Sequence, residues 1–211
     1  MKYEWRKEEK HLYFPKKVEI VDVPEYTFFI IDGMGNPNDA LFSKEIEALY
    51  QASYSLRMLL KKGEFGEPFE YTVYPLEGLW TTSDGSRDDG LNKDALVYRI
   101  MIRQPSGVTK EMAKQSLAQV KIKKENPLLD QIKVEQYTDG KVVQMLHVGP
   151  FENEKYTFEQ MKDFLKKTSF EPKMYMDNYA HREIYLSDAR RVAPEKRKTL
   201  LRYQLKEKKT L

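Results

Sequence analysis

The chain has 211 residues, 40% hydrophobic and 12% aromatic, enough for one large domain or two small halves sharing a core. Charged residues reach 33% for a net charge of only +3, with bases set among acids as in "RKEEK", "KKEN" and "LKEKK". That pattern describes solvated faces rather than a nucleic-acid-binding stripe, and the absence of cysteine removes disulfides, thiolate nucleophiles and cysteine-ligated zinc.

The N-terminal "MKYEWRKEEK" has no hydrophobic signal core, and no apolar run approaches membrane-spanning length. A soluble cytoplasmic protein is the expectation. Next, "VEIVDVPEYTFFIIDGMG" (18–35) alternates as one or two strands around Pro24 and ends at Gly35. "DGMGNPN" (32–38) lacks the dinucleotide fingerprint and the phosphate-loop lysine, so it reads as a strand-to-helix turn with Asn38 or Asp39 as cap. The helix that follows places Phe42, Ile46, Leu49, Ser53, Leu56 and Leu60 on one stripe. A strand is expected over 69–74, then "PLEGLW". The acid-rich "TSDGSRDDG" (82–90) does not match a calcium-loop spacing and reads as a flexible loop.

A strand at 95–102 and a helix at 109–124, capped by Thr109, lead into the second half. There "QIKVEQYTDGKVVQMLHVG" (131–149) predicts a hairpin turning at Asp139-Gly140, with Gly149 in the place of Gly35. A helix with Tyr156, Met161, Phe164 and Leu165 inward precedes "NYAHREIYLSD" (178–188), and "PEKRKTLLRYQL" ends in a helical turn and a strand. Each half thus runs roughly β-β-α-β, lobe one over about 18–104 and lobe two over about 109–205. The expected fold is α+β with pseudo-two-fold symmetry, helices on one side only and a ligand groove at the joint.

Candidate site residues follow from strand parity. One face of 178–188 carries Tyr179, His181, Glu183 and Tyr185; the other, largely apolar, carries Ala180, Arg182, Ile184 and Leu186. If the first face meets solvent, Glu183 is a surface acid paired with a nearby base. If it lines a cleft, Glu183 is a carboxylate among tyrosines that must find donors or change its protonation. Trp80 after Gly78 is placed to wall such a cleft or to anchor the core, and Tyr71 divides the same way. Tyr50 and Tyr54, four apart on the first helix, suit packing or a ligand wall. Met145 and His147 share a strand face, His147 reading most simply as a satisfied sheet histidine. Three histidines without ligand spacing predict no metal site, and nothing calls for a cofactor.

Taken in order, "DGMGNPN" (32–38), "EYTVYPLEGLW" (70–80), "YRIMIRQPSGVT" (98–109), "HVGPFENE" (147–154) and "HREIYLSDARRVAPEKRKTLLRY" (181–203) resemble the GyrI-like small-molecule-binding family in its standalone form. The resemblance covers nearly the whole chain. It implies a duplicated β-α-β-β fold with a groove between lobes, and a glutamate at the groove floor where Glu183 stands. It implies a flat aromatic ligand, and similarity to the cyclopropanoid cyclopropyl hydrolases implies opening of the strained ring of yatakemycin- or duocarmycin-type DNA alkylators. Trp80, Tyr71 and Tyr185 carry over as cage walls, with Glu183 as base and Tyr71 as hydrogen-bond donor to the developing oxyanion. The alternatives are a drug-sequestering binder without chemistry and a gyrase-interacting protein. Relatives often carry a tryptophan near Val97 and a proline at Ala189; both are missing here.

Overall fold

The computed structural model describes residues 2–86, 90–176 and 178–209. Two runs rich in β-branched and aromatic residues govern the architecture. They form the 16-residue strands β1 (Glu19–Met34) and β4 (Lys133–Val148), antiparallel in one unbroken register from Glu19↔Gln144 to Ile30↔Lys133. The expected hairpin at Asp139-Gly140 does not form. Gly140 takes φ 63° inside the strand, and the Asp139 carboxylate turns inward to meet a buried arginine. A tertiary ion pair here overrides a local turn preference.

The remaining strands are β2 (Leu76–Thr82), β3 (Leu96–Arg103), β5 (Phe170–Lys173), β6 (His181–Tyr185) and β7 (Lys198–Glu207). Their order is β4-β1-β3-β2-β6-β7-β5, and β7 also pairs with β4. Six antiparallel strands therefore close into a barrel, with β5 attached outside it. The strand expected at 69–74 is absent. Tyr71 makes only a single bridge to Tyr3, and the ladder begins at Leu76.

Among the described residues five helices pack on the barrel: α1 (Trp5–Glu8), α2 (Lys10–Tyr13), α3 (Ala40–Lys62), α4 (Lys110–Lys123) and α5 (Glu154–Lys166). α3 ends at Gly63, whose φ of 77° lets its N–H close on the carbonyls of Leu59 and Leu60. Thr109 caps α4 by accepting from the Met112 N–H. Ala48, Leu49, Ala52 and Leu56 of α3 share a buried cluster with Phe29 and Ile31 of β1 and Ile100 and Ile102 of β3. α5 builds a second cluster, with Met161 and Leu165 buried beside Val143, Leu201 and Leu205. Tyr156 and Phe164, expected inward, are exposed; the buried positions of α5 are Glu154, Thr157, Met161 and Leu165. The helix is turned so that its first residue, not its first aromatic ring, points inward. The class is α+β, and no helix among the described residues is long and apolar enough to cross a membrane.

The barrel interior is charged. The far face of β6, read from sequence as largely apolar, carries Arg182, 1% exposed at its side chain, bonded to Glu77 Oε2 and Asp139 Oδ1 at 2.7 Å each. Arg202 lies opposite Arg182 on β7, 3.9 Å from Asp139, and donates to Gln144 at 2.9 Å. Arg103 completes the set, bonded to Glu9 Oε2 at 2.5 Å and stacked 3.2 Å over the Tyr26 ring. Buried guanidinium groups persist only when paired. Burial works against the charge of Arg182, but Asp139 and Glu77 more than offset it and hold the group protonated.

Candidate functional site

Strand alternation puts the opposite set of side chains on the barrel's outer surface. Gly78 lies opposite Glu183 and Trp80 opposite His181 between β2 and β6; Tyr98 of β3 flanks Trp80, and Thr199 of β7 flanks Tyr185. α3 packs on β1 and β3, and α5 on β4 and β5. The outer face of β2 and β6 is therefore the strip between two helices.

Rings line both sides of that strip. Phe42 of α3 meets Trp80 at 5.9 Å and Tyr98 edge-on at 5.0 Å, and Trp80 and Tyr98 lie 5.5 Å apart. Across from them Phe158 of α5 packs on His181 at 4.7 Å, and Phe151 meets Tyr185 edge-on at 6.0 Å. These centroid distances are those of favourable aromatic pairs. Two glycines make the arrangement possible. A Cβ at Gly78 would lie 2.5 Å from Trp80 Nε1 and 3.2 Å from the Tyr185 hydroxyl, and one at Gly33 would collide with the Tyr98 ring.

A hydrogen-bonded chain runs through the centre. Trp80 Nε1 donates to the Tyr185 hydroxyl at 2.9 Å, and that hydroxyl donates to Glu183 Oε2 at 2.8 Å. His181 Nε2 lies 2.8 Å from Glu183 Oε1 and donates when that nitrogen carries the proton. Glu183 is neither in bulk water nor buried alone: its side chain is 14% exposed, and both oxygens are engaged. Burial first, then the neighbouring Glu183 and Glu154 carboxylates, pushes the Tyr185 hydroxyl well above the usual phenol range. It stays a donor.

Two further acids adjoin the strip. Tyr98 donates to Glu45 Oε2 of α3 at 2.7 Å, and burial raises the Glu45 carboxyl against that bond. Glu154, the first residue of α5, is buried, and its Oε1 finds no hydrogen-bond partner among the described residues. Burial and then repulsion from Glu183 push its carboxyl well above the ordinary range, with the Thr199 hydroxyl opposing. Glu154 thus gives up its proton less readily than an ordinary carboxyl. A raised folded-state value means the folded protein binds more protons than the unfolded chain between the two pKa values, so this contribution to stability is present in acid and lost as pH rises. Glu154→Gln is expected to flatten that decline and to stabilise the neutral-pH protein; urea unfolding across the pH range reads it directly.

Of the residues nominated from sequence, Glu183, Trp80 and Tyr185 come together, while Tyr50 lies at the start of the Trp80 strand, its hydroxyl meeting the backbone of Leu76. Tyr54 packs tilted against Tyr50 at 6.2 Å and is largely exposed. Tyr71 lies elsewhere: its ring is fully buried against Phe69 and Tyr74, and its hydroxyl is bonded to Gln104. Tyr179 falls before β6 starts, pairs with Tyr175, and interacts with Arg99 and Asp32. His147 is bonded to Thr157 at 2.8 Å and Pro150 at 3.1 Å, and Met145 packs in the α5 cluster. The strip also holds Phe42, Tyr98, Phe151 and Phe158, with Glu45 and Glu154 adjoining, none of them nominated from sequence. Parity already marked His181, and Tyr98 puts a ring one position from the missing tryptophan. Among the described residues no group of three or more His, Asp or Glu could hold a metal ion, and Arg87, Asp88 and Asp89 of the acid-rich loop lie outside them.

The protein is thus an α+β antiparallel barrel bearing an aromatic strip around a hydrogen-bonded carboxylate. The model of the GyrI-like small molecule binding domain matches residues 16–206, and the chain belongs to that family. Two Listeria innocua structures described as hydrolases share 33% and 34% identity, with TM-scores of 0.82 and 0.84. They cover 97% and 98% of this chain, and all of theirs is matched. A third Listeria innocua protein, described as uncharacterized and conserved, is 35% identical with a TM-score of 0.84, over 97% of this chain and 100% of its own. No curated protein matches the sequence.

Proposed function

We propose that the protein is a hydrolase that opens the cyclopropane of flat, cyclopropanoid DNA-alkylating compounds of the yatakemycin or duocarmycin type. The observation that carries this reading is Glu183, a carboxylate held by Tyr185 and His181 on a floor between two sets of aromatic rings. The description of two similar Listeria proteins as hydrolases supports it. Trp80, Tyr98 and Phe42 supply faces for stacking a planar ligand. A cyclopropane conjugated to a dienone is already electrophilic, so the protein needs to add position and a base. Water attacks the ring carbon while Glu183 takes its proton. The carbon–carbon bond breaks, and its electron pair becomes the phenolate, which is protonated to the phenol. The product is the substrate plus one water. Tyr71, bonded to Gln104 in the core, does not take the donor role foreseen from sequence. Tyr185 gives its one hydroxyl proton to Glu183 and so orients the base.

Incubation with a cyclopropanoid, followed by mass spectrometry, tests the reading. Water adduct in molar excess over protein is the expected result. Unaltered ligand recovered at one equivalent per chain would make the protein a sequestering binder instead, with Glu183 as counter-ion.

A further inference from the structure

We infer that the N-terminal segment, residues 3–14, is a positioning element of the Glu183 site, and that Arg6 is its point of action. The inference rests on reading Glu183 as the site's centre. The segment precedes the part of the chain that the family model covers, yet hydrogen bonds and buried side chains fix it to the barrel.

Its first role is electrostatic. The strands contribute Arg103, Arg182 and Arg202 to the interior but only Glu77 and Asp139 to balance them. Glu9 supplies the missing carboxylate, bonded to Arg103, to the Tyr3 hydroxyl at 2.9 Å and to the Tyr74 hydroxyl. Main-chain groups follow: Leu12 O accepts from Arg202 and His11 O from Gln144. Trp5, Leu12 and Tyr13 are buried, and Trp5 Nε1 donates to Val73 O at 3.1 Å. The segment is a stopper in one barrel mouth, held by charge and by apolar burial.

Its second role reaches the site. Arg6, lying 4.4 Å over the Trp5 ring, donates from Nη2 to the carbonyl of Leu186 at 3.0 Å. Leu186 directly follows Tyr185 and is buried, and its own N–H is bonded to Lys198 of β7. β6 has only five residues, so its end is fixed by very few bonds. Arg6 and β7 hold the carbonyl and the amide of one residue, next to the tyrosine that orients Glu183. Releasing Arg6 lets that end fray, and the Tyr185–Glu183 bond loosens with it.

The test uses full-length Arg6→Ala and Arg6→Lys with hydrogen exchange as the primary readout. In Arg6→Ala, amides of residues 184–187 are expected to exchange about ten-fold faster or more, as befits the loss of a hydrogen bond from a charged donor. Strands β1 and β4 should keep parental protection. Arg6→Lys, which can still reach the carbonyl, should restore much of it. Unchanged exchange at 184–187 in folded Arg6→Ala overturns the inference whatever the ligand proves to be. Uniformly faster exchange across the barrel also overturns it, showing a purely structural segment. The Glu183 reading is judged separately, by turnover in the parent protein.

Discussion

Arg182→Met is expected to destabilise the protein by about 3–5 kcal/mol, a large share of the stability of an ordinary domain. The side chain holds Glu77 and Asp139 together, from β2 and β4, in a space closed to water. Methionine fills comparable volume, so the loss is chiefly that of Glu77 left without its counter-charge and Asp139 left with only Arg202, 3.9 Å away. Those acids would then hold protons more tightly in the folded state than in the unfolded chain. The deficit should therefore be greatest at neutral pH and shrink on acidification, opposite to the acid-induced loss usual for paired carboxylates. Replacing Glu77 and Asp139 by their amides in the same chain should recover part of it. Urea unfolding at two pH values measures both effects. A variant within about 1 kcal/mol of the parent would mean the interior charges contribute little beyond ordinary packing.

Glu183→Gln is expected to lower turnover of a cyclopropanoid about 10²–10⁴-fold while leaving binding within a few-fold of the parent. The amide keeps the shape of the acid and can still accept the Tyr185 hydroxyl, so the floor of the strip is preserved. What it loses is the ability to take a proton from water. Single-turnover kinetics and equilibrium binding on the same preparations separate the two. Parental turnover by the Gln variant would remove Glu183 from the chemistry. Loss of binding with no turnover in either protein would leave the carboxylate as a ligand's counter-charge.

Much of the fold was legible because its elements are long and periodic. α3 declared itself through the stripe from Phe42 to Leu60, and β3 and β7 through their apolar alternation. Barrel closure was not legible, since β7 pairs with β4 across some sixty residues of chain and no local signal marks such a pairing. The charged interior was hidden for the same reason. Arg182 reads as a solvated residue in an otherwise apolar series until Glu77 and Asp139 are brought to it. At the site, parity on "HREIY" placed His181, Glu183 and Tyr185 on one face, which is what the strand does. Extending the same parity back to Tyr179 failed because β6 begins at His181. Glu154 gave no signal, because an acid at the first turn of a helix is ordinarily a solvated partner of the helix dipole. The face that α5 turns toward the barrel is what buries it.

β5 is four residues long and the one strand of the seven at the end of the sheet order, since the other six close on themselves. Its outer side carries little that another chain could copy. Pro172 offers no amide hydrogen, and Glu171 is tied to Lys206 by an ion pair. Strand addition from a neighbouring copy, the usual route by which open sheets aggregate, is thereby blunted. A macromolecule that meets the protein at this edge must read side chains rather than extend the sheet there.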